Sequence, residues 1–406
     1  MGGAVALWSP SSKAGDTGAT GALPNLAAAA KPISVEERRM RVAKAAALMR
    51  ASNIDAVLVE AGSSLVYFTG IRWWRSERLT GAIITREGEI SVVTPFFEEP
   101  SVRETLALDA EVLTWNEDED PLGLLGGWLR SRGLSKGMIG VEETVRYFAV
   151  DGLQAALPDA RIVSANPIVR GCRMIKSPAE LALMQVANDI TLNAYRRMYR
   201  NIEAGMTPAD VGALINDATA AMGGSPEFAL VLLGEASAYP HGTGKPQEVR
   251  EGEVVLLDCG CNVHGYQSDI SRSFVFGEPN ARQRLVWNQM RKGQQVAFEA
   301  AQIGTQAGKV DDAVRAYYRT LGYGPGYKLP GTSHRTGHGI GLDGHEPVNL
   351  VHGETTRLAS GMCFSDEPGI YIPGEFGIRL EDCFHMTESG PRWFTQPPAS
   401  IDDPIS

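Results

Sequence analysis

The stretch Leu256–Phe274 constrains this chain more than any other, because it sets two aspartates into what reads as a β-hairpin beside an apolar run. The entering residues Val254-Val255-Leu256-Leu257 are β-branched and aliphatic, turn-forming residues gather at Asn262–Gly265, and the leaving run closes on Phe274-Val275-Phe276. A turn centred between Val263 and His264 places Asp258 and Asp269 opposite each other across the ladder. Directly opposed like charges destabilise a strand pair, the more so next to buried apolar residues. A divalent cation between them is the economical remedy.

The same construction recurs in Phe364–Asp382, where the turn Pro373-Gly374-Glu375 leaves Glu367 and Glu381 equally far from Gly374. Four converging carboxylates carry a charge of about −4, which two divalent ions balance. Between the hairpins lies Gly337-His338-Gly339-Ile340-Gly341-Leu342-Asp343-Gly344-His345-Glu346-Pro347, a glycine-rich segment that lets backbone approach a metal and supplies an imidazole. Hard oxygen donors with one histidine suit manganese, iron, cobalt or zinc.

From about Ser34 to the C-terminus the chain resembles the pita-bread metallopeptidases, the family of prolidase, aminopeptidase P and methionine aminopeptidase. Asp258, Asp269, His338, Glu367 and Glu381 fall on that family's five metal-ligand positions in order and type. The resemblance implies two divalent ions, Mn2+ first with Zn2+ or Co2+ as alternatives. It gives proton handling to Glu367, contact with the scissile amide region to His241, and stabilisation of the tetrahedral oxygen to His345. His334 and Arg379 match positions that bind the proline side and its carboxylate or orient the ligands. The substrate it implies is a small peptide with proline second, and the assembly a homodimer. The expected activity is that of an Xaa-Pro dipeptidase; the alternative is an aminopeptidase P acting on longer peptides. Many relatives carry a tyrosine five residues after the first aspartate. Val263 stands there instead, with His264 beside it as a candidate replacement.

The implied architecture is an α/β creatinase-like N-terminal domain over residues 34–168 and an α+β pita-bread catalytic domain over 169–406. Residues 1–33, rich in Ala, Gly, Ser and Pro, read as a disordered leader or as a signal remnant with Ala28-Ala29-Ala30 at the cleavage position. The second reading makes the protein exported. The first, with five cysteines that fit buried thiols better than disulfides or a soft metal site at Cys259 and Cys261, makes it cytoplasmic. A net charge of −10 without a basic cluster argues against a nucleic-acid partner. No apolar run reaches the ~18 residues of a membrane span.

Along the N-terminal half, Ser34-Val35-Glu36-Glu37 opens a helix to about Ser52. Strands are expected at Ala56–Val59, Val66–Gly70, in a hairpin over Ala82–Thr94 and at Met138–Val141, with a helix near Pro121–Arg132. Trp73-Trp74-Arg75 reads as a local aromatic cap or, as the family resemblance implies, as a wall for the active site of a dimer partner, its arginine suited to a substrate carboxylate. In the second half Ser177-Pro178-Ala179-Glu180 opens a helix to about Asn201, and Thr207-Pro208-Ala209-Asp210 opens another. Helices near Ala281–Ile303 and Val310–Leu321 echo that pair. Each pair precedes a carboxylate-bearing hairpin, which suggests internal duplication.

Overall fold

The computed structural model describes residues 22–405. These divide into two compact units, one of residues 32–175 and one of 176–405 with 22–31. Residues 1–21 of the expected leader lie outside the described residues. Residues 22–31 do not form a free tail: Leu26–Ala29 make a single 3-10 turn, and Ala27 N donates to Met222 O at 3.2 Å. Gly223, at φ +87°, admits Asn25 and Ala27 where a Cβ would clash with both.

The first unit is built on a mixed six-stranded sheet. In chain order its elements are α1 (Val35–Ser52), β1 (Ala56–Glu60), α2 (Ser63–Thr69), β2 (Gly81–Thr85), β3 (Ile90–Pro95), α3 (Glu99–Thr105), β4 (Glu111–Trp115), α4 (Pro121–Ser131), β5 (Met138–Val141), α5 (Tyr147–Ala156), β6 (Arg161–Ser164) and α6 (Asn166–Arg173). The strand order is β4-β3-β2-β1-β5-β6. Leu58, Ile83, Val93, Trp128, Leu129 and Leu153 meet in its core. The expected strand at Val66–Gly70 is instead α2. Its β-branched and aromatic residues favour a strand, but helical spacing buries Leu65 and Phe68 completely and Gly70, at φ +86°, caps the end. Burial outweighs a propensity difference of about 1 kcal/mol.

The boundary expected after residue 168 falls at 175/176, because α6 buries Ile168, Val169 and Cys172 in the first unit. Trp73 stacks on Trp74 with centroids 5.0 Å apart and donates to Glu98 at 3.1 Å, whereas Trp74 stays 73% exposed. Arg75 is tied inside its own unit to Ala61 O and Thr144 Oγ1.

In the second unit, α7 (Pro178–Tyr199) and α8 (Pro208–Ala221) both begin in capping boxes with Pro in the first turn, as their sequences dictate. They precede β7 (Ser225–Leu233), β8 (Val254–Val263), β9 (Tyr266–Gln267) and β10 (Ile270–Val275), whose sheet runs β10-β8-β7 with β9 on β8. Next come α9 (Ala281–Ala300) and α10 (Ala307–Thr320). They are followed by β11 (Gly337–Gly339), β12 (Glu346–Leu350), β13 (Cys363–Asp366), β14 (Gly369–Ile372), β15 (Phe376–Arg379), β16 (Asp382–Thr387) and β17 (Gly390–Trp393). The second sheet is ordered β12-β11-β13-β16-β17, with β14 and β15 as a separate ribbon. A helix pair followed by a sheet thus occurs twice. The α9–α10 link differs from expectation: α9 stops at Ala300, and Gly304 at φ +82° turns the chain before α10.

The two sheets are joined at the hairpins. Ser271 and Glu381 exchange backbone hydrogen bonds of 3.0 and 3.2 Å. Below them, Arg272 grips Asp382 at 2.8 Å with both side chains fully buried, and Arg272 Nη1 also donates to Glu381 O.

Candidate metal centre

In the first hairpin Val263 pairs with Tyr266, so the turn is His264-Gly265, centred one residue later than expected. His264 and Gly265 both have positive φ, 52° and 92°, as a two-residue type I′ turn requires. The shift sets Asp258 opposite Ser271. Asp269 is therefore a diagonal neighbour of Asp258 on the same face, not its direct partner. Diagonal neighbours remain within reach of one another, and side-chain oxygens of Asp258, Asp269 and Glu381 lie within 4.8 Å of one another.

The second hairpin is centred on Gly374 as expected. Its register continues from Gly369↔Arg379 in the ribbon to Asp366↔Asp382 in the sheet. Glu367 and Glu381 occupy the break between those two ladders, which frees both side chains to converge. The third element is β11. His338 Nε2 is 3.3 Å from Glu367 Oε1 and 3.5 Å from Asp269 Oδ2. Its Nδ1 lies 3.0 Å from Gly339 O, which fixes the proton on Nδ1 and turns the Nε2 lone pair toward the carboxylates. All five expected ligands thus meet at one place. His345 joins them, exposed, its ring 4.2 Å from that of His338.

The donor set fits a metal centre on its own terms. Asp258 Oδ1 and Glu381 Oε1 are buried without a hydrogen-bond partner, although such groups are costly to leave unsatisfied. Burial, then the charges of Glu381, Asp258 and Glu367, raise the Asp269 carboxyl well above its usual range. Burial with Glu367 and Asp258 does the same to Glu381. Glu367 is pushed up to about 7 by burial and Asp258 against the pull of Arg379 and Arg335. Burial and His345 hold His338 well below its ordinary value. Without a countercharge the carboxylates favour protons and the imidazole is neutral, so the cluster is short of positive charge.

The oxygens left over are oriented from outside. Arg379 Nη2 holds Asp258 Oδ2 at 2.6 Å, and Arg379 Nε donates to Ser271 Oγ, which donates to Glu381 Oε2 at 2.7 Å. Burial opposes the charge of Arg379, but Tyr371, Asp258 and Glu381 outweigh it. His334 Nδ1 gives its proton to Arg335 O at 2.7 Å, so Tyr371 OH donates to His334 Nε2, also at 2.7 Å, and accepts from Arg379 Nη1. Burial pushes the Tyr371 phenol up to about 12 and the His334 imidazole down to about 3, which keeps both neutral. His241 is exposed, with its charge felt at His334 and His345.

Three contributors were invisible in the sequence. Ser271 is the residue opposite Asp258, and a turn placed at His264-Gly265 would have found it. Tyr371 supplies a phenol to the centre from the second hairpin, while Val263 is buried in the core. His264 cannot replace that phenol: six residues of strand put it about 20 Å along the hairpin from Asp258. The third is a buried ion pair, Lys176–Glu346, at 2.8 Å. Glu346 Oε1 also accepts from Leu342 N and Asp343 N, pinning the loop that carries His345. The five cysteines are free and buried. Burial raises the Cys259 and Cys261 thiols, which disfavours the thiolate form a soft metal site needs.

The model for metallopeptidase family M24 matches residues 182–388, and the model for the creatinase/prolidase N-terminal domain matches 41–175. A probable dipeptidase PepE from Mycobacterium tuberculosis is 33% identical, over 86% of this chain and 92% of its own length. An Xaa-Pro dipeptidase from Lactobacillus delbrueckii subsp. lactis is 29% identical, over 86% of this chain and 94% of its own. The crystal structure of dipeptidase PepE from Mycobacterium ulcerans superposes with a TM-score of 0.84 at 30% identity, covering 91% of this chain and 98% of that one.

Proposed function

Because the chain belongs to metallopeptidase family M24 and has its creatinase-type N-terminal and pita-bread catalytic domains, we propose that it hydrolyses the Xaa-Pro bond as a dipeptidase, with Asp258, Asp269, His338, Glu367 and Glu381 holding two metal ions. The family is one of dinuclear metal enzymes. The observation that carries the reading is the meeting of four carboxylates and one correctly protonated imidazole, with buried oxygens of Asp258 and Glu381 left for a cation. Mn2+ suits four hard carboxylates with a single nitrogen donor; Zn2+ and Co2+ are the alternatives.

Bound there, two divalent ions lower the pKa of water and polarise the amide carbonyl. The side chains do the rest. Glu367 receives a proton and passes it to the leaving proline nitrogen. His345, beside His338 and kept below its ordinary pKa by burial and Arg335, donates a hydrogen bond to the oxygen that becomes negative. His241 meets the amide region, and His334 lines the proline side with Tyr371 behind it. Arg379 acts through Asp258 and Ser271, and orients ligands rather than substrate.

A homodimer belongs to the same reading, supported by the exposed Trp74, Phe96 and Phe97 on the N-terminal unit. The buried free cysteines favour a reducing, cytoplasmic setting. No helix among the described residues is long and apolar enough to cross a membrane.

The test is a peptide panel on chelator-stripped protein reloaded separately with Mn2+ and Zn2+. Ala-Pro should be cleaved and Ala-Ala should not, with Ala-Pro-Ala at least tenfold slower than Ala-Pro. Equal rates on Ala-Pro and Ala-Pro-Ala assign the protein to aminopeptidase P. Cleavage of Ala-Ala at the Ala-Pro rate removes the proline requirement.

A further inference from the structure

A dipeptidase needs a receptor for the free carboxylate that follows proline, and the groups expected to serve are engaged elsewhere. Arg379 holds Asp258, His334 lies between Tyr371 and the Arg335 carbonyl, and Arg75 is tied to its own unit. Other arginines in and around the second hairpin's sheet also end on carboxylates, Arg272 on Asp382 at 2.8 Å and Arg315 on Asp311 at 2.7 Å.

Arg335 differs from all of these. It follows His334 directly and precedes His338 by three residues, in the segment that leads into β11. It is half-buried, yet among the described residues its guanidinium makes no hydrogen bond and no ion pair. The histidines that flank it both reach Glu367, His334 Nδ1 at 4.0 Å from Oε2 and His338 Nε2 at 3.3 Å from Oε1, so its backbone runs beside the reacting centre. A partly desolvated guanidinium without a counterion is unfavourable, and its planar fork matches a carboxylate in a bidentate pair. The anion that completes it is therefore one the chain does not supply.

We propose that Arg335 receives the free C-terminal carboxylate of the substrate and so selects dipeptides over longer peptides. The inference rests on the Xaa-Pro reading above. Two carboxylates could meet this guanidinium, that of the C-terminus and that of an acidic residue before proline, and the substrates below separate them.

Arg335→Met and Arg335→Lys, each with metal content measured, are compared with wild type on Ala-Pro, Ala-Pro amide and Glu-Pro. Arg335→Met should lose about thirtyfold or more in kcat/KM on Ala-Pro and Glu-Pro, chiefly through KM, with both ions retained. On the amide it should change by less than about threefold, and Arg335→Lys should recover part of the loss. Equal losses on Ala-Pro and its amide, or no loss at all, overturn the assignment. A loss confined to Glu-Pro overturns it too, since the guanidinium then reads the first side chain. A wild type inactive on all three strikes the underlying Xaa-Pro reading instead, a different result from any pattern among the variants.

Discussion

The two hairpins reach the same end by different construction. The first keeps one register from its turn through β8 and β10, so Asp258 and Asp269 meet as diagonal neighbours on one continuous face. The second interrupts its pairing, and Glu367 and Glu381 converge at the gap between β13/β16 and β14/β15. Continuous pairing fixes side-chain positions through the pleat, whereas a gap between ladders frees carboxylates to turn inward. The second hairpin therefore supplies the residue with the more adaptable role, Glu367, and the first the more rigid pair.

Removing a ligand from the gap should have the largest consequence. Glu381→Gln keeps the backbone exchange with Ser271 but replaces a buried carboxylate oxygen that has no protein partner. At least one ion and more than about 99% of turnover should be lost, since an incomplete donor set binds weakly and water activation fails with it. Metal analysis showing two ions with near wild-type turnover would detach Glu381 from the centre and leave the comparison between hairpins without its basis.

How much of this could be read in advance follows from the same contrast. The donors themselves were legible because carboxylates spaced about turn residues are a local pattern; Glu367 and Glu381 are symmetric about Gly374 as expected, whereas Asp258 and Asp269 proved to be diagonal neighbours. The first turn was misplaced by one residue because His at the first position of a type I′ turn is a weaker signal than Asn-Gly. That one-residue shift hid Ser271 behind Asp258. The roles of Tyr371 and of Lys176–Glu346 depend on partners far along the chain, and no local period announces them. Helix α2 was lost for the opposite reason, since Val66-Tyr67-Phe68-Thr69 carries a strong local strand signal that burial of Leu65 and Phe68 overrides.

A second, smaller effect separates the hairpins by pH. In the metal-free protein Glu367 rises from 4.5 to about 7, so the folded state binds more protons than the unfolded chain between those values. Stability is then fully present below about 4.5 and falls as pH rises through about 7. For Glu367 alone the change is about 3 kcal/mol. Asp269 and Glu381 are raised as well and act in the same direction. Thermal melts of stripped protein should therefore give a higher Tm near pH 6 than near pH 8. Metal-loaded protein should show the reverse, because its ligands must stay deprotonated. Glu367→Gln should flatten part of the metal-free slope. An unchanged slope would move the titration from Glu367 to Asp269 or Glu381.

The smallest effect tests what sets each register. Gly265 at φ +92° and Gly374 at φ +79° both occupy the left-handed region, where a Cβ costs about 1–2 kcal/mol. A Cβ at Gly374 would meet nothing within 4 Å, so Gly374→Ala should cost only that backbone term. Its register is held by ladders on both sides of the glutamates, and metal retention should match wild type. Gly265→Ala acts on a two-residue loop whose conformation specifies the pairing of β8 with β9. It should lower Tm by a few degrees, as Gly374→Ala does, but it should also weaken metal retention at limiting free metal, by about two- to threefold, as Asp269 loosens against Asp258. Equal metal retention in both variants would show that β7 and the Ser271–Glu381 bridge hold the first register without help from the turn.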